Sequence, residues 1–483
     1  MKPLSGGIRD SELETAANTK RIIITSGALL LLLFLSLTYI SKYFSYETQL
    51  ADKPVPLLVM ILVLSGAVYI FVARKALKSD QKGLILVFIL FTGLGLRLSM
   101  FFSTPMLEDD YFRYMWDGAV TAHGYNPCKY SPQEVVKNPH VPEELSRLKS
   151  SSGDVISRIN HPSIRSIYPP ITQAFFALSY LIKPWSLTSW RAILLVFDMC
   201  TLLLILYSLE LSSLPLVYSL IYWWNPLLVK EIYNSGHFDV LVLPFALGGM
   251  ILAYRSRYLS SVLSLAAGIG VKLWPAFLIP LVMRSLFRYP KRFLRAIIIL
   301  IIILSCLFLP LYLSGPDRSS GMIAYGRSWE NNDSIFRMLI FLSEYSLDIL
   351  GFKTYQKYYV ARVAAASLAV IWIVFLTLRK PSDTEFFKKS LYIIAFIFLI
   401  SPTEFPWYYT WLLPFLCLQP RISLLLLTAL LPFYYLRYYL EPRGELDIFT
   451  NVVVWFEFVP VWVLLFLEWR RRRRRGFIES PAL

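Results

Sequence analysis

At 483 residues, with 56% hydrophobic and 16% aromatic content, the chain is too apolar for an ordinary water-soluble globule. The net charge of +16 would suit nucleic acid, but Lys and Arg lie mainly in short loops between apolar runs and in the six-arginine run 470–475, the bias of cytoplasmic loops. No nucleic-acid partner is therefore expected, and the scattered Cys128, Cys200, Cys306 and Cys417 suggest neither a disulfide framework nor a metal cluster.

A spanning helix needs about 20 mostly apolar residues. On that criterion about 12 to 15 segments recur between 22 and 467, and their unbroken runs of Leu, Ile, Phe and Ala favour helices over a barrel. The expected fold is all-α, one polytopic integral membrane domain over 1–483. Residues 1–21 end in Lys20 and Arg21, ahead of a first span at 22–40 that is too long for a signal-peptide core and reads as retained. A second span, 56–73, is followed by the basic loop RKALKSDQK, 74–82. Both flanks read as cytoplasmic, so the third run, 83–102, carries the chain outward and leaves 104–167 on the extracytoplasmic side.

That loop exceeds the usual length of a connection, which makes it a candidate for function. It opens with LEDDYFRYMWDG, 107–118. Tyr111, Phe112, Met115, Trp116, Ala119 and Val120 share one helical face, while Asp110, Arg113, Asp117 and Thr121 share the other. The spacing predicts a short helix in the interface with its aromatic side toward lipid. Asp109 or Asp110 would cap its start, and Gly124 would end it. Residues 131–162 are polar without strong periodicity, and IYPP, 167–170, starts another helix because proline fits a first turn.

Apolar runs follow at 171–182, 192–209 and 214–229, then NSGHFD, 234–239, and a further run to Tyr254. Arg255 and Arg257 read as cytoplasmic, as does RSLFRYPKRFLR, 284–295. The stretch between them suits one crossing of about 20 residues but not two. Counting every run as a full crossing therefore cannot place all the basic loops on one side. One segment must be re-entrant or broken, and 224–226 (WNP) and 272–275 (KLWP) are both candidate breaks. A span at 296–313 leads to a second extracytoplasmic loop, 314–335. Further spans, the SPTEFPWYYTW junction at 401–411 and the cytoplasmic tail 470–483 complete the chain.

Glu108, Asp109 and Asp110 read most plainly as helix-start acids on a solvated loop. At the lipid boundary, however, desolvation and mutual repulsion would raise the basicity of one carboxylate and let it take a proton from a hydroxyl. Arg97, Asp198, His237, Asp239, Lys272 and Glu404 sit in or beside apolar runs, where charges must pair or face a polar cavity. Arg97 reads as structural. Lys272, near the middle of its stretch, could pair with Asp198 or Asp239 or bind a lipid phosphate. His237 and Asp239 suit a proton relay or substrate contact as well as a plain hydrogen bond. With four histidines, none at ligand spacing, zinc is not expected. Arg327, Glu330, Asn331, Asn332, Asp333 and Arg337 could close over a sugar or phosphate, although solvation is the default for a loop. WYYTW, 407–411, most simply anchors a helix at the interface. Neither a Walker-type loop nor GxGxxG is present, which argues against nucleotide-dependent chemistry.

The stretches EDDYFRYMWDGAVTAHGYNPCKYSP, IYPPITQAFF, NPLLVKEIYNSGHFD, GIGVKLWP and FPWYYTWLLPF together resemble the polytopic GT-C glycosyltransferases that use polyprenyl-phosphate sugars. The likeness is to bacterial mannosyltransferase-like members and, more distantly, to the mannosyltransferases of glycosylphosphatidylinositol synthesis. The resemblance implies an acidic motif in the first large extracytoplasmic loop that supplies the catalytic base: here Glu108, Asp109 and Asp110, with Asp110 favoured because Asp110-Tyr111 matches the Asp-aromatic pattern.

The expected activity is inverting transfer of a hexose, such as mannose, from a polyprenyl-phosphate donor to a hydroxyl of a glycan, lipid or protein acceptor. Arg113, Lys272 or Arg327 would meet the leaving phosphate, and His237 and Asp239 would contact substrate. No cofactor is required, although a divalent metal could assist through the acids. The expected location is a bacterial cytoplasmic membrane, since no endoplasmic-reticulum retrieval signal is seen, with the site facing outward. Alternatives are a transporter or flippase of lipid-linked sugar and a non-catalytic membrane scaffold.

Overall fold

A computed structural model describes residues 6–78, 83–315, 321–352, 354–379 and 385–478; the side chains of 6–16, 322–323, 327–328 and 472–478 fall outside that description. Among the described residues every regular element is helical, apart from one isolated bridge between Asn331 and Thr403. Among the described residues eight helices are long and apolar enough to cross a membrane: Ala17–Phe44, Val55–Ala76, Leu84–Phe101, Leu187–Leu211, Pro290–Leu313, Thr354–Leu378, Ile422–Arg443 and Leu446–Arg471. A bent pair, Pro226–Asn234 and Phe238–Tyr254, turning through 107°, makes a ninth if counted as one span. Three apolar helices are shorter: Pro170–Ile182, Tyr258–Val271 and Trp274–Leu286. The chain is an all-α, multi-pass membrane protein.

It forms two compact units. The first comprises Met1–Met106, Leu209–Lys230 and Leu416–Leu483. Its helices pack through small residues, as membrane helices do where no water drives them together: a Cβ on Gly66 would fall 2.5 Å from Ala429. Arg97 is fully buried there, its guanidinium 3.3 Å over the Trp223 ring and donating to the carbonyls of Gly93 and Trp223 at 3.0 and 2.6 Å. Cation–π contact and two acceptors compensate a charge that would otherwise be costly at that depth.

The second unit comprises Leu107–Ser208 and Glu231–Phe415 and contains the acidic motif. The predicted helix is present as Asp110–Ala122. It ends as expected. Gly124, at φ 79°, donates to the carbonyl of Thr121 and Tyr125 donates to that of Val120, the two bonds of a Schellman motif. The other expectations for it are corrected. Asp109 occupies the capping position but makes no side-chain cap bond. The aromatic face does not turn to lipid. Phe112, Trp116, Ala119 and Val120 pack in one core with Val135, Val141, Leu145, Leu148, Val155, Ile156 and Ile159. The polar stretch after the helix thus folds into a lid of its own, with helices Pro132–Lys137 and Glu143–Ser151, the former started by a Ser131–Glu134 capping box.

The opposite face packs on helix Pro170–Ile182, which Pro170 begins at its first turn. Asp117 accepts from Arg113 Nε (2.8 Å), Ser166 Oγ (2.5 Å) and Gln173 Nε2 (3.3 Å), satisfying a carboxylate that is 1% exposed. Next to it, a Cβ on Gly118 would lie 2.4 Å from the carbonyl oxygen of Phe176.

Gly270, near the end of helix Tyr258–Val271, abuts Leu307, well along helix Pro290–Leu313. Between these helices the chain breaks at Lys272 and Leu273 and continues as the shorter Trp274–Leu286 segment.

Gly118→Ala should force the two helices apart and cost about 1–3 kcal/mol, as overpacking does. The thermal midpoint of detergent-solubilised protein should fall, whereas Gly326→Ala, whose Cβ meets nothing within 4 Å, should leave it unchanged or raise it.

Candidate functional site

Three breaks in regular helix bring the charged residues of the second unit together. The first is the acidic motif. Leu107 adopts φ 73°, a costly conformation for a residue with a Cβ, immediately before the acids. Glu108 turns inward and is 8% exposed. Asn160, from the loop that follows the lid helices, donates its amide to Asp109 Oδ1 and, at 3.4 Å, to Asp110 Oδ1. Asp110 Oδ2 takes a long hydrogen bond, 3.4 Å, from Tyr114 one turn on, and faces His237 Nδ1 at 3.9 Å.

The second break is NSGHFD. Gly236 at φ 78° turns the chain. Two neighbouring residues on helix Leu187–Leu211 satisfy the freed carbonyls: Trp190 Nε1 donates to Gly236 O and Arg191 Nη2 to Asn234 O, each at 2.7 Å. The turn sets His237 between two carboxylates. Its Nε2 lies 3.5 Å from Glu231 Oε2, and its ring stacks on Trp407, centroids 4.0 Å apart.

The third break supplies Lys272. Its ammonium is 2.5 Å from Asp239 Oδ1, which Trp411 Nε1 also donates to at 2.6 Å; Asp239 Oδ2 has no hydrogen-bond partner among the described residues. Phe238, Tyr408 and Trp411 present ring faces 4.6, 4.3 and 5.1 Å from the same ammonium. The aromatic run 407–411 therefore does not anchor a helix at the interface. It winds as a 3-10 helix, Pro406–Leu412, with Trp407 and Trp411 buried around His237 and Lys272.

The second polar loop is fastened against the SPTEF segment. Ser334 Oγ donates to Glu404 Oε1 at 3.0 Å, Asn332 Nδ2 donates to Glu404 O at 3.2 Å, and Arg362 pairs with Glu330 at 2.7 Å. Tyr325 from this loop meets the Tyr408 hydroxyl at 3.0 Å.

Of the residues singled out in the sequence, the structure brings Asp109, Asp110, His237, Asp239 and Lys272 into one neighbourhood. Arg113 turns away, to Asp117 and to the carbonyl of Ile164, and the side chain of Arg327 lies outside the described residues. Asn160, Tyr114, Glu231, Trp190 and Arg191 were not anticipated. Among the described residues no group of three or more His, Cys, Asp or Glu side chains stands where a metal could be held.

The cluster has an accessible edge. His237 and Asp239 side chains are 1% exposed and Glu231 is fully buried, but Asp110 is 33% and Lys272 15% exposed. Asp110 is nonetheless hemmed in by protein, and loss of hydration pushes its carboxyl above the ordinary aspartate range; the Tyr114 hydroxyl and the charges of Lys272 and His161 oppose that rise, while Asp239 adds to it. The arrangement offers a carboxylate of enhanced basicity close enough to a fixed cation to feel its charge.

Residues 167–402 match the family model of glycosyltransferase family 87. The match indicates a glycosyltransferase. It takes in Glu231, His237, Asp239 and Lys272, and stops short of Asp110 on one side and Trp407 on the other. No curated protein and no solved structure matches the chain.

The infrared carboxyl band that disappears in Asp110→Asn should titrate with a midpoint above the model-peptide aspartate value of about 3.9. Tyr114→Phe, which removes a hydrogen bond to the charged form, should move the midpoint higher still. An unshifted midpoint in Tyr114→Phe would mean that the hydroxyl does not stabilise the Asp110 carboxylate.

Proposed function

We propose that this glycosyltransferase moves a hexose, of which mannose is the best candidate, from a polyprenyl-phosphate donor to an acceptor hydroxyl, with Asp110 as general base. The observation that carries the reading is the pairing at the accessible edge of the charged cluster: a partly exposed carboxylate of raised basicity and a partly exposed lysine, beside a segment that matches a glycosyltransferase family.

In the proposed step Asp110 takes the proton of the acceptor hydroxyl as its oxygen attacks the anomeric carbon, and the bond from that carbon to the lipid phosphate oxygen breaks. One displacement inverts the anomeric configuration. The leaving phosphate carries the growing negative charge, which Lys272 is suited to meet. Asp239 and the rings around the ammonium hold that cation in place beforehand, so little reorganisation is needed during reaction. His237, behind Asp110, is positioned to share the proton or to touch the sugar. Asp110 is preferred to Asp109 because Asn160 holds Asp109 closely but reaches only Oδ1 of Asp110, at 3.4 Å, while Oδ2 of Asp110 faces His237 and takes only a long bond from Tyr114. Arg113, committed to Asp117, has no part in the step.

This chemistry is proposed to occur at the extracytoplasmic face of a bacterial cytoplasmic membrane. Lys272 follows helix Tyr258–Val271 at the end opposite Arg255 and Arg257, and basic loops mark the cytoplasmic side. A donor anchored by its polyprenyl tail would be confined to the membrane plane, and the acceptor would be a glycan, lipid or protein reached from outside.

The test uses purified full-length protein in lipid with labelled polyprenyl-phosphate hexoses and candidate acceptors. Asp110→Asn should lower turnover by about 10²–10⁴-fold, the usual contribution of a positioned base, and Asp109→Asn should cost far less. Robust transfer by Asp110→Asn would overturn the assignment of the base.

A further inference from the structure

A second charged surface lies at the other end of the helices that carry Lys272, and it makes no use of the proposed reaction. Between Asp239 and Asp317 the chain contains neither Asp nor Glu, yet RSLFRYPKRFLR places Arg284, Arg288, Lys291, Arg292 and Arg295 within one short stretch. Among the described residues none of the five has a carboxylate partner. Four of them, all but Arg284, are exposed. The rings between them are exposed as well: Arg284 lies 5.5 Å over Phe287 and Arg292 5.2 Å over Tyr289, the mixture of cation and amphipathic ring found where protein meets lipid headgroups.

What this patch joins decides its partner. The helix it begins, Pro290–Leu313, is the barest span among the described residues, with only 6% of its apolar window buried. Lys291, Leu294, Ile298 and Ile301 follow one another at helical spacing and all are exposed, as are Arg295, Ile298 and Ile302 on the adjoining row. A cation therefore heads each stripe of outward-facing aliphatic side chains. An acidic protein or a soluble phosphate would satisfy the cations and leave the stripes unmatched. A lipid with an anionic head and two acyl chains satisfies both.

We propose that Arg288, Lys291, Arg292 and Arg295 form a binding site for the phosphate headgroup of an anionic phospholipid whose acyl chains lie along Leu294, Ile298 and Ile301. The site is independent of the glycosyl-transfer reading. Each cation near an anionic headgroup contributes roughly a fivefold gain in affinity, so several together distinguish an anionic from a zwitterionic lipid clearly.

Detergent-solubilised full-length protein, titrated with phosphatidylglycerol or phosphatidylcholine of identical acyl chains and read by native mass spectrometry, tests the site. Phosphatidylglycerol should bind at least about tenfold more tightly, and the preference should collapse in 0.5 M salt, which screens exposed charge without altering the chain. The variant Arg288→Gln/Lys291→Gln/Arg292→Gln should lose it, while Arg288→Lys/Arg292→Lys, which keeps the charge, should retain it. Soluble glycerol phosphate at the same concentration should not compete. Equal binding of the two lipids, a preference that survives in the triple glutamine variant, or full competition by glycerol phosphate would each overturn the proposal.

Discussion

The structure depends on how an apolar molecule keeps charge inside it. A lysine and an aspartate taken out of water each lose several kcal/mol of hydration, and their attraction repays this only with close geometry and further hydrogen bonds. Asp239 and Lys272 meet that condition through the Trp411 indole and three ring faces around the ammonium. Each member comes from a place where a helix stops. Had either segment continued as regular helix, its polar residue would have had to find partners around a helix surface instead of at a shared corner. The broken helices and the ion pair therefore require each other, and the aromatic run from Pro406 to Leu412 is drawn inward because it completes their surroundings.

Breaking a helix in such an environment also frees backbone carbonyls, and these must be answered by protein. Trp190 and Arg191 answer two of them at the 234–237 turn, from a neighbouring helix that is mostly apolar. This gives an arginine in a membrane helix a backbone role. It also shows why charged residues in apolar runs cannot be sorted by type: Arg97 and Arg191 hold carbonyls, Arg113 holds Asp117, and Lys272 holds Asp239 within a cage of aromatic rings.

Much of this was legible in the sequence, because the readable features are local. Apolar runs of spanning length, the helix from Asp110, its glycine stop and the proline start at Pro170 all follow from spacing and turn chemistry within a few residues. The failure of span-by-span counting across 214–295 was itself informative, since one of its two candidate breaks, 272–275, supplies Lys272, whereas the turn that supplies His237 lies beyond the other candidate at 224–226. What was not legible depends on partners distant in sequence. Val135, Val141, Leu145 and Leu148 are spaced too irregularly among charged residues to announce a packed layer, so in the sequence the aromatic face of the acidic helix looks lipid-facing although protein covers it. Asn160 sits in an unpatterned loop and declares itself only by reaching Asp109. An aromatic run looks the same whether it lines an interface or encloses a buried ammonium.

The anchoring of the acidic helix has a consequence for how such proteins are recognised. Asp117 and Gly118 fasten that helix to Ser166, Gln173 and Phe176, the last two within the segment that matches glycosyltransferase family 87, while the helix itself stands outside it. A homologous chain could keep the whole matched segment, its cation and its imidazole, and yet carry no acidic helix. It would be grouped with the family and lack the carboxylate that faces the imidazole here. Membership judged on the matched segment thus says nothing of the acidic helix, which the small buried contacts at Asp117 and Gly118 hold in place.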